Sequence, residues 1–266
     1  MTGRWRSIAY NQVPNSTNQI HGDDMAQLFG FKGGLVPGVT VSAYLLHPVA
    51  DVFGIDFLER GYAHCRIKSP LYDHDTFEVE ITNKSRKHCH TCLKRDSEEP
   101  IAIAEANIRS DVVPPIYRGD NIGNESIETP ATRQNFERLR NEGCLAFCYR
   151  WDREHEMGSY LREPSEMLDL YAVDGFANPS YVLGVSNWAL SANIYMNPWI
   201  HLETQSQNFA PIAVGTSLIG EISVKALFEK KEHEFVDVEV NIFDAVSFQC
   251  YTAISLRAIY LLRGAG

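Results

Sequence analysis

The sequence predicts an α+β protein made of two copies of one unit, each a long buried helix with an antiparallel sheet. Three observations carry that expectation. The run Val39 to Phe53 is apolar on nearly every face, which suits a helix only when it is buried. This run, and a second at Pro179 to Met196, is each followed by segments rich in β-branched and aromatic residues, and one helix followed by a series of strands argues for an antiparallel sheet packed on that helix. Finally, Pro70-Leu71, a turn and Thr76-Phe77-Glu78-Val79-Glu80-Ile81 align without a gap with Pro211-Ile212, a turn and Ser217-Leu218-Ile219-Gly220-Glu221-Ile222. A long repeat present twice means a tandem double unit and not a solenoid.

In chain order, a first strand is expected near Trp5 to Tyr10, then a turn-rich stretch, then the helix from Val39. Strands are expected at Tyr62 to Lys68, Thr76 to Asn83, His88 to Arg95 and Ile101 to Arg109. Their separators are turn signals such as Tyr72-Asp73-His74-Asp75 and Asp96 to Pro100. Asp111 to Thr132, with its prolines, glycines and acids, has the composition of a linker. The units are therefore expected to span residues 1–128 and 129–266. The second half repeats the order with a strand near Cys144 to Trp151, a charged, helical-looking segment to Val173, and the Asn178-Pro179 start of a second central helix. Strands should follow at Ile200 to Gln207, Ser217 to Phe228, Glu234 to Phe243 and Phe248 to Leu262.

Composition narrows the function classes. At 266 residues, with 44% hydrophobic and 22% charged residues, the chain has an ordinary globular balance. A formal charge of -10 argues against nucleic acid or an anionic membrane as partner, though a local basic patch could still hold phosphates. Met1 to Asn11 has no apolar stretch of the kind a signal peptide needs, and no run is long enough to cross a bilayer. The expectation is a soluble cytoplasmic protein. Six cysteines in a chain of this length do not form a disulfide framework. His88-Cys89-His90-Thr91-Cys92 could be half of a metal site but lacks a second half, because Cys144 and Cys148 fall in an expected strand. No metal is expected.

The stretch most suited to chemistry runs from Asn15 to Phe53. It places His21 near a short helix, then a turn of Gly33, Gly34, Pro37 and Gly38 that larger side chains would obstruct, then the apolar helix. The first N–H groups of a buried helix lack intrahelical acceptors and sit at the positive end of its dipole. They can hold a polarised carbonyl or a developing oxyanion, with Gly38 as the donor. A tight connection into a core helix is the plain alternative. His21, whose ordinary pKa is about 6.5, could give or take a proton near neutrality, or could simply hydrogen-bond a backbone carbonyl.

Written out, NQIHGDDMAQLFGFKGGLVPG, with Asn18, His21, Asp23, Asp24 and Ala26, resembles the MaoC-type, or R-specific, enoyl-CoA hydratase and dehydratase family. That family carries an Asp-x-Asn-Pro-x-His motif followed by an acidic residue, a Gly-Phe pair and a glycine at the start of its central helix. The resemblance implies a tandem double hot-dog fold, with two antiparallel sheets each wrapped around a long central helix. It implies His21 as the catalytic histidine, Asn18 as the motif asparagine and Gly38 as the donor to the thioester carbonyl. Two positions depart from the motif: Gln19 stands where the family has proline, and Ser16 where it has its catalytic aspartate.

The resemblance implies an acyl thioester of CoA or acyl carrier protein as substrate, no cofactor, and a homodimer of such double units as an option. The substrate side is expected to include Asn18, Gly34 and Val36. Asp23 is an orienting or replacement carboxylate or, alternatively, a first-turn acid of a helix. Arg60, Arg66 and Lys68 are candidates for phosphate contacts or else a solvated strand face. His47 on the buried helix is read as a core histidine. The second half has no histidine in Asp174-Gly175-Phe176-Ala177-Asn178-Pro179, where Asp174 and Asn178 read as helix-entry and capping residues or, alternatively, as lining of the acyl tunnel, so one site per chain is expected. Three functions stay open. They are a hydratase or dehydratase in which His21, with Ser16 and Asn18 orienting water, moves the proton; a hot-dog thioesterase; and an acyl-CoA-binding subunit without turnover.

Overall fold

Alternating inward and outward side chains build the sheet on which everything else rests. The computed structural model describes residues 3–95 and 99–263, so part of the Asp96 to Pro100 turn lies outside the described residues. Along the first half run β1 (Arg4–Ile8), α1 (Asp23–Leu28), α2 (Gly38–Phe53), α3 (Ile55–Arg60), β2 (Gly61–Ile67), β3 (Thr76–Lys84), β4 (His88–Lys94) and β5 (Ala102–Ile108). After a long connection come α4 (Arg133–Glu142), β6 (Phe147–Arg150), α5 (Asp169–Ala172), α6 (Pro179–Asn193), β7 (Ile200–Asn208), β8 (Ser217–Lys230), β9 (His233–Asp244) and β10 (Cys250–Leu261).

The strand order β1-β3-β4-β5-β2-β7-β10-β9-β8-β6 reads the same from either end once β6 to β10 are set against β1 to β5. Each half thus contributes the same five-stranded arrangement. Two antiparallel sheets were expected, one per half and continuous with each other as the resemblance implies; the structure has one ten-stranded antiparallel sheet. The joint is β2 on β7, in register from Tyr62 opposite Gln207 to Arg66 opposite Glu203. Separate sheets would leave two edges of unpaired N–H and C=O groups in the middle of the molecule, and pairing them satisfies both.

Helix α2 packs against β2 to β5, α6 packs against β8 to β10, and the two helices touch each other. Every residue of α2 from Val39 to Ala50 is buried, as its all-round apolar character demands. His47 is among them, stacked on Trp5 at 4.0 Å between centroids with Nδ1 2.8 Å from the Tyr160 hydroxyl, a core histidine whose burial pushes its pKa down to about 4. Among the described residues no helix is long and apolar enough to cross a membrane.

The second half departs locally from expectation. The charged segment before Val173 is mostly turns, with only a short 3-10 turn at Pro164–Glu166 and the four-residue α5. Its apolar residues Met157, Tyr160, Leu161, Met167 and Tyr171 are buried in the core, but Gly158 and Pro164 interrupt any longer helix. Helix α4 was not foreseen; Thr132 caps it by accepting the Asn135 N–H at 3.2 Å, and Phe136 anchors it in the core. The connection before α4 contains the boundary expected at residues 128 and 129. It is pinned to the second half by the buried Glu221 carboxylate, which accepts the Arg118 N–H at 3.0 Å and the Asp120 N–H at 3.0 Å, and by the Ile127 N–H on the Ala192 carbonyl at 2.8 Å.

Candidate active site

Two loops zipped together present His21. The Leu35 N–H donates to the Ile20 carbonyl at 3.1 Å, and the Gly34 N–H donates to Asp23 Oδ1 at 2.8 Å. A Cβ on Gly34 would overlap the His21 carbonyl, which is why this position takes only glycine. Asn11 Nδ2 holds that same carbonyl at 2.8 Å. Asp23 therefore fastens the glycine turn, a bond that accounts for its carboxylate without a substrate contact.

The protonation of His21 follows from its partners. Nδ1 lies 2.7 Å from the Leu35 carbonyl, and a carbonyl can only accept, so Nδ1 carries the proton and Nε2 the lone pair. Burial holds the pKa below the usual histidine value, opposed by the Leu35 hydrogen bond. At neutral pH the ring is thus an uncharged base with Nε2 unprotonated. Near it, 3.5 Å from Nε2, is Asn18 Nδ2. Asn18 grips the second half: its Nδ2 donates to the Trp199 carbonyl at 3.0 Å and its Oδ1 accepts the Trp199 N–H at 3.1 Å. With both ends of its amide engaged, Asn18 is a clamp between halves beside the histidine.

Gly38 is the first residue of α2. Pro37 precedes it, and the Pro37 carbonyl receives the N–H groups of Thr40 and Val41. Among the described residues the N–H groups of Gly38 and Val39 have no acceptor. His21 and Gly38 line one cavity of about 190 Å³, largely walled by Ile20, Phe31, Leu35, Val36, Val41 and Ile200. His21 and Asn18 also border a larger, more open cavity of about 680 Å³, which Ser16 reaches and which runs along α6 past Trp188 and Met196. The Ser16 hydroxyl donates to the Asn18 carbonyl at 3.1 Å, leaving its lone pairs free to accept.

The remaining expected residues divide. Val36 and Lys68 line the smaller cavity. Arg60 ends α3 instead of lying on a strand; it pairs with Asp56 at 2.6 Å and does not reach either cavity. Arg66 points to Glu105 at 3.0 Å on the sheet surface and is likewise away from both. For Arg66 the separation from His21 follows from the strand period: on β2 the residues that face the core are Gly61, Ala63 and Cys65. In the second half, Asn178 caps α6 by accepting the N–H groups of Ser180 at 2.9 Å and Tyr181 at 3.3 Å.

The repeat aligns the two helix starts. Val36 donates its N–H to the Leu71 carbonyl at 2.9 Å, and Ala177 donates to the Ile212 carbonyl at 2.8 Å; Leu71 and Ile212 are matched positions of the internal repeat. Two residues on from these donors stand Gly38 and Pro179. Proline has no N–H, so the second helix start offers no counterpart of the Gly38 donor.

Sequence reasoning missed what the second half supplies: Asn187, Trp199 and His201 line the smaller cavity. Asn187 and His201 fell in an expected helix and an expected strand and Trp199 in the connection between them, and nothing local ties residues so distant in the chain to His21.

The sequence matches no protein-family model and no curated protein. Solved structures do share its fold. A conserved hypothetical protein of Mycobacterium tuberculosis described as having a double hot-dog fold superposes with a TM-score of 0.58 at 10% identity, over 97% of this chain and 96% of that one. A protein of Chloroflexus aurantiacus provisionally named a MaoC domain dehydratase gives 0.56 at 10%, over 99% and 96%. A protein of Thermobifida fusca provisionally named thioesterase II gives 0.54 at 12%, over 97% and 92%. The palindromic strand order, the paired central helices and these likenesses over almost the whole chain make this a double hot-dog protein.

Proposed function

We propose that the chain is a hydratase or dehydratase of acyl thioesters, interconverting a trans-2-enoyl thioester and a 3-hydroxyacyl thioester. One observation carries this reading: the unprotonated Nε2 of His21 belongs to a ring that lines the same cavity as the unpartnered N–H of Gly38. A thioester carbonyl on Gly38 puts its α- and β-carbons on the His21 side. Water oxygen then bonds to the β-carbon while its proton passes to Nε2. The displaced electron pair moves through the α-carbon to the carbonyl oxygen, where the Gly38 N–H and the helix dipole stabilise the enolate. The imidazolium so formed is disfavoured by burial and returns its proton to the α-carbon.

Ser16 orients this water but cannot deprotonate it. Its hydroxyl proton is committed to the Asn18 carbonyl, so it can only accept from water. A missing acid-base group of this kind costs roughly 10²- to 10⁴-fold, so slow turnover is expected.

The test is product analysis on crotonyl-CoA, 3-hydroxybutyryl-CoA and butyryl-CoA with wild type and His21→Ala. Loss of the enoyl chromophore without CoA release, abolished in His21→Ala, supports the reading. The fold is shared with a protein provisionally named a thioesterase, and release of free CoA from butyryl-CoA would favour hydrolysis instead. Binding with no turnover of any of the three would overturn both.

A further inference from the structure

A buried hydrogen-bond chain on the second half ends at the site. His201, on β7, is 6% exposed, with Nδ1 2.9 Å from Asn187 Oδ1 and Nε2 against the hydroxyl of Thr204, which is 2% exposed. Burial pushes the His201 pKa down to about 3, so the ring is neutral and carries one proton. Its location can be deduced. Among the described residues the Thr204 hydroxyl has no acceptor other than His201 Nε2, and a buried hydroxyl left without one is costly. Nε2 therefore bears the lone pair and Nδ1 the proton, so Nδ1 donates to Asn187. That fixes the amide of Asn187: its oxygen faces His201 and its NH₂ faces away.

The NH₂ of Asn187 has no acceptor among the described residues, and Asn187 lines both cavities that His21 borders. The His201 ring is also in contact with the start of α2, since a Cβ on Gly38 would lie 2.8 Å from His201 Cδ2. Gly38, His201 and Asn187 are thus neighbours on one wall, with two unspent donors, one from each half.

We propose that Asn187 is a second donor to the substrate carbonyl oxygen, acting with the Gly38 N–H and held in its donating orientation by His201 and Thr204. This rests on the thioester reading above. In it Asn187 touches substrate, whereas His201 and Thr204 are positioning residues. The second half, whose own helix start is closed by Pro179, supplies part of the first half's site.

The probe is the ketone analogue of acetyl-CoA in which CH₂ replaces the thioester sulfur, labelled with ¹³C at the carbonyl; it can be neither hydrated nor hydrolysed. Calorimetry gives its affinity, and isotope-edited infrared spectroscopy gives the carbonyl stretch. Wild type should bind it with the stretch lowered relative to water. Asn187→Asp keeps the size and the bond from His201 but replaces the donor by an acceptor. It should weaken binding about tenfold, the scale of one hydrogen bond lost, and return the stretch towards higher frequency. Crotonyl-CoA hydration should fall on the order of 10²-fold in kcat, with KM changed less. Asn187→Leu should do the same, although a purely structural asparagine would be rescued by aspartate and not by leucine. Wild-type affinity and carbonyl frequency in Asn187→Asp overturn the proposal and leave the thioester reading standing. If wild type itself fails to bind the probe, that reading falls and the proposal with it.

Discussion

Replacing Gly38 by alanine tests the packing and the chemistry of the site in one variant. The new Cβ would sit 2.8 Å from His201 Cδ2, 2.9 Å from its Cβ and 3.0 Å from its Cγ. The first and last atoms belong to a ring whose two nitrogens are hydrogen-bonded, and the middle one is fixed to the β7 backbone. No rotamer change of His201 clears its Cβ, so either β7 or the first turn of α2 must shift. Overpacking of this kind costs about 1–3 kcal/mol, and alanine recovers about 0.5–1 kcal/mol through reduced unfolded-state freedom and better helix propensity. The clash outweighs the gain by about 1 kcal/mol at mid-range and up to about 2.5 kcal/mol, which for a chain of this size lowers Tm by about 2–10 °C. A displaced Gly38 amide also forfeits its aim at the carbonyl oxygen, so crotonyl-CoA hydration should fall on the order of 10²- to 10³-fold. Thermal melts and steady-state kinetics on the purified variant read both effects. A Gly38→Ala protein at least as stable as wild type, with unchanged kcat, would refute both the seating of His201 on Gly38 and the use of its N–H.

Two further outcomes are expected. Ser16→Asp should raise crotonyl-CoA hydration by roughly 10²-fold, because it adds the carboxylate that can deprotonate the water. His21→Ala in the same chain should abolish the gain, since both groups act on one water; no gain in a folded, thioester-binding Ser16→Asp protein would count against hydration. Stability should fall with acid: His47 and His201 are held at about 4 and about 3 when folded, against about 6.5 unfolded. Between those values the unfolded chain binds more protons, so stability is complete above about pH 6.5 and is lost as pH falls towards the folded values. At pH 5 the two groups together should remove about 4 kcal/mol relative to pH 7.5, read as a lower urea midpoint, and a flat profile would refute the burial of both rings as neutral.

The apolar run Val39 to Phe53, the strand alternation and the Pro70 and Pro211 repeat were enough to predict two copies of a helix-and-strand unit, because local periodicity and composition report which faces must be buried. The same local information marked His21, Gly34 and Gly38, since a glycine turn before an apolar helix exposes N–H groups whatever surrounds it. The sequence was less legible elsewhere: α4 has one core residue, Phe136, and the charged segment before Val173 buries Met157, Tyr160 and Leu161 yet is broken at Gly158 and Pro164. Only the tertiary structure decided that β2 pairs with β7 to make one sheet, because the need to satisfy an edge appears only once both edges exist. It also gave Asp23 to the glycine turn, and Arg60 and Arg66 to surface ion pairs. Above all it carried Asn187 and His201 across from the second half to the wall beside Gly38. Contacts between residues so far apart in the chain are set by how two helices and a continuous sheet pack, and no spacing in the sequence encodes them.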